Sequence, residues 1–243
     1  MKLAKDVYLV GSGSLGVYLT DELDCNCYLI NFDETTILFD CGAGIHPELI
    51  EKEIFADGFS IEEITCICLT HCHADHAGGA AYFRNRYGIK IIAPKEEALL
   101  LEKADEQRLG LEAARKAGYY PDTYKLDPCS VDILAMPGKN LEMNENTLFL
   151  YGAKGHSIGG ICYYGCIHGK KFLITGDLIS GAGTISLQLI PGADVHAYAE
   201  SIRRIQDLKI DFLLPGHGRF LLQQGSEQVK KAAVSFEHLM IPV

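Results

Sequence analysis

The chain has no Cys-x-x-Cys pair, no apolar run near the roughly 18 residues needed to cross a bilayer, and no surplus of basic residues. Each absence removes a class of protein. Without Cys-x-x-Cys units a zinc ribbon is excluded. The short apolar stretches predict no membrane helix. Met1 to Val10 lacks the apolar centre of a signal peptide, so a soluble, cytoplasmic protein is expected. Lys and Arg number 22 against 32 Asp and Glu, a net charge of −10, and the basic footprint of a nucleic-acid binder is missing. No Pro- or Ser-rich linker, charge run or low-complexity segment divides the chain, which predicts one domain over residues 1–243. The expected partner is a small-molecule substrate, and no residue pattern bears on oligomeric state.

Nine cysteines are present, an odd number, with Cys25/Cys27 and Cys66/Cys68 as i, i+2 pairs in strand-like runs. Such pairs point to one face of a strand, so reduced core thiols are expected. With 48% hydrophobic residues over 243 positions the chain can bury a large core. Apolar strand-like stretches around 6–40, 64–69 and 90–93, then 131–152, 160–176 and 211–214, alternate with helical periodicity at 96–104, 109–117, 197–208 and 229–239. That alternation predicts a layered α/β protein.

The most informative segment is Thr70-His71-Cys72-His73-Ala74-Asp75-His76-Ala77-Gly78-Gly79, directly after the apolar run Ile64 to Leu69. It places three histidines and a carboxylate in six consecutive positions, more than a merely polar loop needs. Read as extended chain, His71, His73 and Asp75 face one way, with His76 opening a helix. Imidazole with carboxylate suits zinc, iron or manganese better than calcium or magnesium, which prefer all-oxygen shells. His46, His168, His196 and His238 lie beside turns or helix ends and are expected to hold no metal.

The pattern His-x-His-x-Asp-His resembles that of the metallo-β-lactamase superfamily of hydrolases, and four further motifs follow that family's order. Thr36-Ile37-Leu38-Phe39-Asp40-Cys41-Gly42 precedes it; Gly155-His156-Ser157-Ile158-Gly159-Gly160, Ile174-Thr175-Gly176-Asp177 and Leu213-Leu214-Pro215-Gly216-His217-Gly218 come after it. The resemblance spans roughly residues 28–218 and implies the four-layered αβ/βα sandwich. It also implies two divalent metal ions, zinc first, with iron or manganese as alternatives. His71, His73 and His156 would hold one; Asp75, His76 and His217 the other; Asp177 would bridge them. Asp40 would orient the metal-binding loop without touching metal. A metal-bridging hydroxide would then attack a small ester, thioester or lactone, with Asp75 and Asp177 as catalytic carboxylates.

Many thioesterase and lactonase members read His-Thr-Pro-Gly where this chain has His156-Ser157-Ile158-Gly159, so the turn lacks proline's fixed φ. Members that hydrolyse β-lactams carry cysteine or serine where Asp177 stands, which turns the expectation from antibiotics toward type II glyoxalases and lactonases. Type II glyoxalases grip glutathione with a helical domain after the last histidine. Only 26 residues follow His217, so a glutathione thioester is not expected. The alternative is a persulfide dioxygenase of the same fold, with one iron on the counterparts of His71, His156 and Asp177. A small-molecule phosphodiesterase and a non-catalytic metal-binding scaffold rank behind both. Tyr119, Tyr120 and Tyr124 sit in a turn-rich segment that would form a lid over substrate, and Ser180 to Thr184 is a second candidate wall.

Overall fold

The computed structural model describes residues 1–243. Strands β1 (Lys2–Ala4), β2 (Val7–Gly11), β3 (Cys27–Asn31), β4 (Thr36–Phe39), β5 (Ile64–Cys68), β6 (Lys90–Pro94) and β7 (Ile133–Ala135) form one sheet in chain order. Its first half is antiparallel, and from β4 onward the strands run parallel. A second sheet takes β8 (Asn140–Met143), β9 (Asn146–Gly152), β10 (Ile161–Ile167), β11 (Lys170–Gly176) and β12 (Phe212–Pro215) in the order β12-β11-β10-β9-β8. Parallel pairing needs a long crossover, and helices supply it. These are α1 (Pro47–Ala56), α2 (Ala74–Ala77), α3 (Ala80–Tyr87), α4 (Lys95–Lys103), α5 (Leu111–Lys116) and α6 (Val195–Ile205); α7 (Gly225–Glu237) follows the last strand.

The layers follow from side-chain alternation. Along β3 and β4, Tyr28, Ile30, Ile37 and Phe39 point inward to meet Leu150, Tyr163, Phe172 and Ile174 of the other sheet. Between them, Leu29 and Leu38 point outward into the packing with Ile50 of α1, Phe83 of α3 and Leu101 of α4. The outer face of the second sheet, with Leu173 and Leu213, is covered by Tyr198 and Ile202 of α6 and Val229 of α7. Helix, sheet, sheet, helix is the αβ/βα sandwich expected from the resemblance.

All nine cysteines are free. Cys66 and Cys68 share the inter-sheet core, while Cys25 and Cys27 share the helix-side core, as i, i+2 spacing requires. No helix is long and apolar enough to cross a membrane. One local expectation is corrected: the chain is not extended through Asp75. His73 is extended (φ −64°, ψ 153°), but its carbonyl already accepts from the His76 and Ala77 amides, so Asp75 and His76 both lie in the single turn of α2.

Candidate metal centre

The residues expected as ligands sit on one rim of the sandwich, at strand ends, in the loops after them, or in the single turn of α2. After β5 the chain is pinned where Tyr163 Oη donates to Leu69 O at 2.8 Å. Asp40, one residue past β4, has φ +57°, a left-handed conformation that aspartate tolerates better than most residues. From there its carboxylate accepts from the Thr70 amide (2.7 Å) and hydroxyl (2.9 Å), and its Oδ2 lies 2.8 Å from His76 Nδ1. Bonding one ring nitrogen leaves Nε2 of His76 to face the centre. His156 is oriented the same way, with Nδ1 at 3.1 Å from Ser186 O.

Three imidazole nitrogens then converge. His73 Nδ1 is 3.0 Å from His71 Nε2 and 2.9 Å from His156 Nε2. Beside them a second trio forms: Asp75 Oδ2 stands 2.9 Å from His217 Nε2 and 3.7 Å from His76 Nε2. Asp177, just past β11, reaches both. Its Oδ1 is 3.3 Å from His76 Nε2, and its Oδ2 is 3.3 Å from His156 Nε2 and 3.4 Å from His217 Nε2.

The donor set fits divalent metal. His76 Nε2 and Asp177 Oδ1 are buried and have no hydrogen-bond partner, whereas buried polar atoms are almost always paired. Lone pairs aimed at a shared point among nitrogens and carboxylate oxygens are what a cation such as zinc, iron or manganese requires. The approach of the last strand is equally tight. A Cβ on Gly216 would stand 2.4 Å from His76 Cε1 and 2.5 Å from Asp177 Oδ1, so only glycine lets the β12 turn pass. Asn26 holds that turn by donating to the Pro215 and Gly218 carbonyls at 3.0 and 3.1 Å.

A sequence description of the metallo-beta-lactamase superfamily matches residues 20–217, which contain all seven converging side chains. The chain belongs to the metallo-beta-lactamase superfamily. It is 27% identical over 217 residues to a beta-lactamase-like protein 2 homolog of Caenorhabditis elegans, spanning 88% of this chain and 61% of that one. It is 23% identical to an acyl-coenzyme A thioesterase of Gallus gallus (87% of this chain, 77% of that one) and 27% identical to the hydroxyacylglutathione hydrolase GloC of Haemophilus influenzae (80% and 86%). The chain thus spans less than two thirds of the worm relative's length and most of the other two. A metallo-beta-lactamase of Cronobacter sakazakii with a HARLDQ motif superposes with a TM-score of 0.75 at 20% identity, covering 98% of this chain and 96% of that one. At that identity the likeness establishes the shared fold. A superfamily with this fold implies divalent metal binding and hydrolysis.

Charge is divided unevenly across the centre. Burial, reinforced by His76 and His73, holds the His71 imidazole well below its ordinary pKa. Burial and His156 bring His73 down to about 3. Burial works the same way on the second trio, but there the carboxylates win. Asp177, Asp40 and Asp75 hold His76 well above its ordinary value, and Asp177 and Asp75 raise His217. Against their own burial, Asp75 and Asp177 are kept ionised by His76 and His217. His76 and His217, beside these carboxylates, therefore keep their protons to higher pH than His71 and His73 do.

The tyrosine segment divides. Tyr120 and Tyr124 stack at 5.0 Å with 21° between planes, and Tyr124 Oη donates to Ala43 O at 2.7 Å. Burial and the neighbouring Asp75 raise the Tyr120 phenol, which borders the second trio. Tyr119 is 69% exposed and points to solvent. Ser180 to Thr184 closes on itself, with Ser180 N donating to Thr184 O at 2.9 Å. His46, His168, His196 and His238 stand outside every group of converging ligands. Asn26 and Glu97 were not singled out from the sequence. For Glu97 a signal existed: an acid on the buried face of α4, which also carries Ala98, Leu100 and Leu101.

Proposed function

We propose that this protein is a binuclear metal-dependent hydrolase of small thioesters, with esters and lactones as related substrates, and that residues 1–243 act as one domain. The observation that carries the reading is Asp177, whose Oδ1 faces His76 of the second trio and whose Oδ2 lies between His156 of the first trio and His217 of the second. In this reading His71, His73 and His156 hold one metal, Asp75, His76 and His217 the other, and Asp177 bridges them. Zinc is the first choice, since nitrogen-rich sites of this kind favour it. Bound as a pair, such cations supply an acidified water as nucleophile and stabilise charge on the substrate oxygen.

The protein's residues do the rest. Asp75 and Asp177, held ionised by His76 and His217, would orient the proton of a nucleophile supplied between the two trios. Asp40 and Ser186 fix which nitrogens of His76 and His156 point inward. Tyr120 borders the second trio, where its phenol, kept protonated, can donate to a substrate oxygen. Tyr124 supports it by stacking, and Tyr119 is left at the outer edge of the lid.

Thioesters lead because the chicken and Haemophilus relatives carry the names of thioester hydrolases. The Haemophilus relative is covered over 86% of its length, so a short tail after His217 does not argue against a glutathione thioester, and that carrier joins the candidates. Nothing in these relatives' names favours mono-iron oxygen chemistry. The test is turnover of acyl-coenzyme A, acyl-glutathione, simple ester and lactone panels, with thiol or acid release followed, and of a persulfide, with oxygen uptake followed, by protein loaded with zinc and, separately, with iron. Thioester turnover well above that of the other classes is expected; oxygen consumption with a persulfide and no hydrolysis would overturn the reading.

The two sites should separate on acidification. A metal must displace the protons that His76 and His217 retain to higher pH, whereas His71 and His73 are already neutral. Lowering the pH from about 7.5 to about 5.5 across the ordinary imidazole range should release the metal of the second trio first. Equilibrium dialysis would then show stoichiometry falling from two to one, with activity falling alongside, before the first metal is lost. Simultaneous loss of both metals would contradict the assignment.

A further inference from the structure

A buried carboxylate outside the seven metal-facing residues touches both loops that carry the first trio. Glu97, in the first turn of α4, is 1% exposed. Its Oε2 accepts from the Cys72 amide at 2.6 Å, and its Oε1 accepts from the Gly159 amide at 2.8 Å. Cys72 lies between His71 and His73, and Gly159 lies three residues after His156. The first loop leaves β5 of one sheet and the second leads into β10 of the other, so one side chain joins the two halves of the sandwich at the metal rim.

The chemistry of the contact is specific. No Lys, Arg or His side chain forms an ion pair with Glu97, so its removal from water is offset by these backbone amides. A buried acid is retained only where such partners are made. Both partners are donors, which requires two acceptor oxygens. Glutamine would offer one acceptor and press an NH2 against the other amide. The fit is close enough that a Cβ on Gly159 would lie 2.7 Å from Glu96 Cβ and 3.2 Å from Glu97 Cγ. The second loop reads Ser157-Ile158-Gly159, and without a proline to stiffen it, an outside anchor is needed to hold its shape.

We propose that Glu97 is a positioning residue that clamps the His71–His73 loop to the His156 loop before metal arrives, so that the three imidazole nitrogens already converge. This rests on the reading that these histidines hold the first metal. The clamp makes no contact with substrate. Its effect is on preorganisation: the cost of ordering the two loops is met on folding and is not charged again on metal binding.

The test titrates metal-stripped wild-type protein and Glu97→Gln with zinc against a chelating dye. Amide hydrogen exchange over residues 70–74 and 156–160 is followed in the metal-free proteins. First-site affinity is expected to fall about 10–100-fold in the variant, with second-site affinity little changed. Both segments should exchange slowly together in the wild type and faster together in the variant. A merely structural acid would lower Tm without separating the two affinities. Unchanged first-site affinity in Glu97→Gln would overturn the clamp alone, while a wild type that takes up no zinc would overturn the metal assignment on which it rests. Where Glu97→Gln does not fold, exchange in the metal-free wild type decides: slow, matched exchange at both segments supports the clamp, and fast exchange at either defeats it.

Discussion

Replacing Asp177 with alanine is expected to reduce hydrolysis by about 10³-fold or more, the several kcal/mol that metal assistance contributes to a transition state. Asp177 approaches nitrogens of both trios with its carboxylate, at 3.3 Å from His76 and His156 and 3.4 Å from His217. Its loss would take away the negative charge proposed to hold both cations and leave His76 Nε2 facing an empty space. Asp177→Asn, which keeps shape and one acceptor but no charge, should fall between. The check is kcat/KM on the best thioester together with a thermal melt, since a folded but inactive Asp177→Ala locates the loss in chemistry. Retention of more than about a tenth of activity, short of the roughly 10²-fold effect of even a single oxyanion-stabilising group, would defeat the bridging role.

Asp40→Ala should be the most destabilising single change near the centre. It leaves the Thr70 amide and His76 Nδ1, both buried, without their acceptor, and the Thr70 hydroxyl with His71 Nδ1 at 3.1 Å as its remaining partner. Each orphaned group costs about 1–3 kcal/mol. Alanine is also worse than aspartate at the left-handed φ of +57°. About 3 kcal/mol or more is expected, which lowers Tm by roughly 10 °C in a chain of this size. Because Asp40 also sets which nitrogen of His76 faces the metal, second-site affinity should drop about 10–100-fold in whatever fraction folds. Asp40→Asn, which tolerates the backbone and keeps one acceptor, should recover part of both. A melt of Asp40→Ala superimposable on the wild type would contradict this account of the loop.

The centre was legible because its residues announce themselves locally. An apolar strand that stops at a cluster of imidazoles and carboxylates is visible in ten residues, and the same juxtaposition recurs at Asp40, His156, Asp177 and His217. Strand alternation likewise gives away the layers, since Tyr28, Ile30 and Leu29 sort to opposite faces by period alone. Less legible was whatever depends on partners far along the chain. Glu97 reads as one more charged residue in a helix until the amides of Cys72 and Gly159 are seen, 25 and 62 positions away. Asn26 acquires its meaning from carbonyls 189 and 192 positions away. Period-2 spacing fits His71, His73 and Asp75, so the sequence alone reads as extended through Asp75. The helix wins there because the His73 carbonyl accepts two amides at once.

The most direct test of the two-metal account is the metal content of purified protein expressed with zinc and iron both available, measured per chain by element-specific mass spectrometry. About two divalent ions per chain, predominantly zinc, is the predicted result. A single iron per chain, or no bound metal, would contradict it.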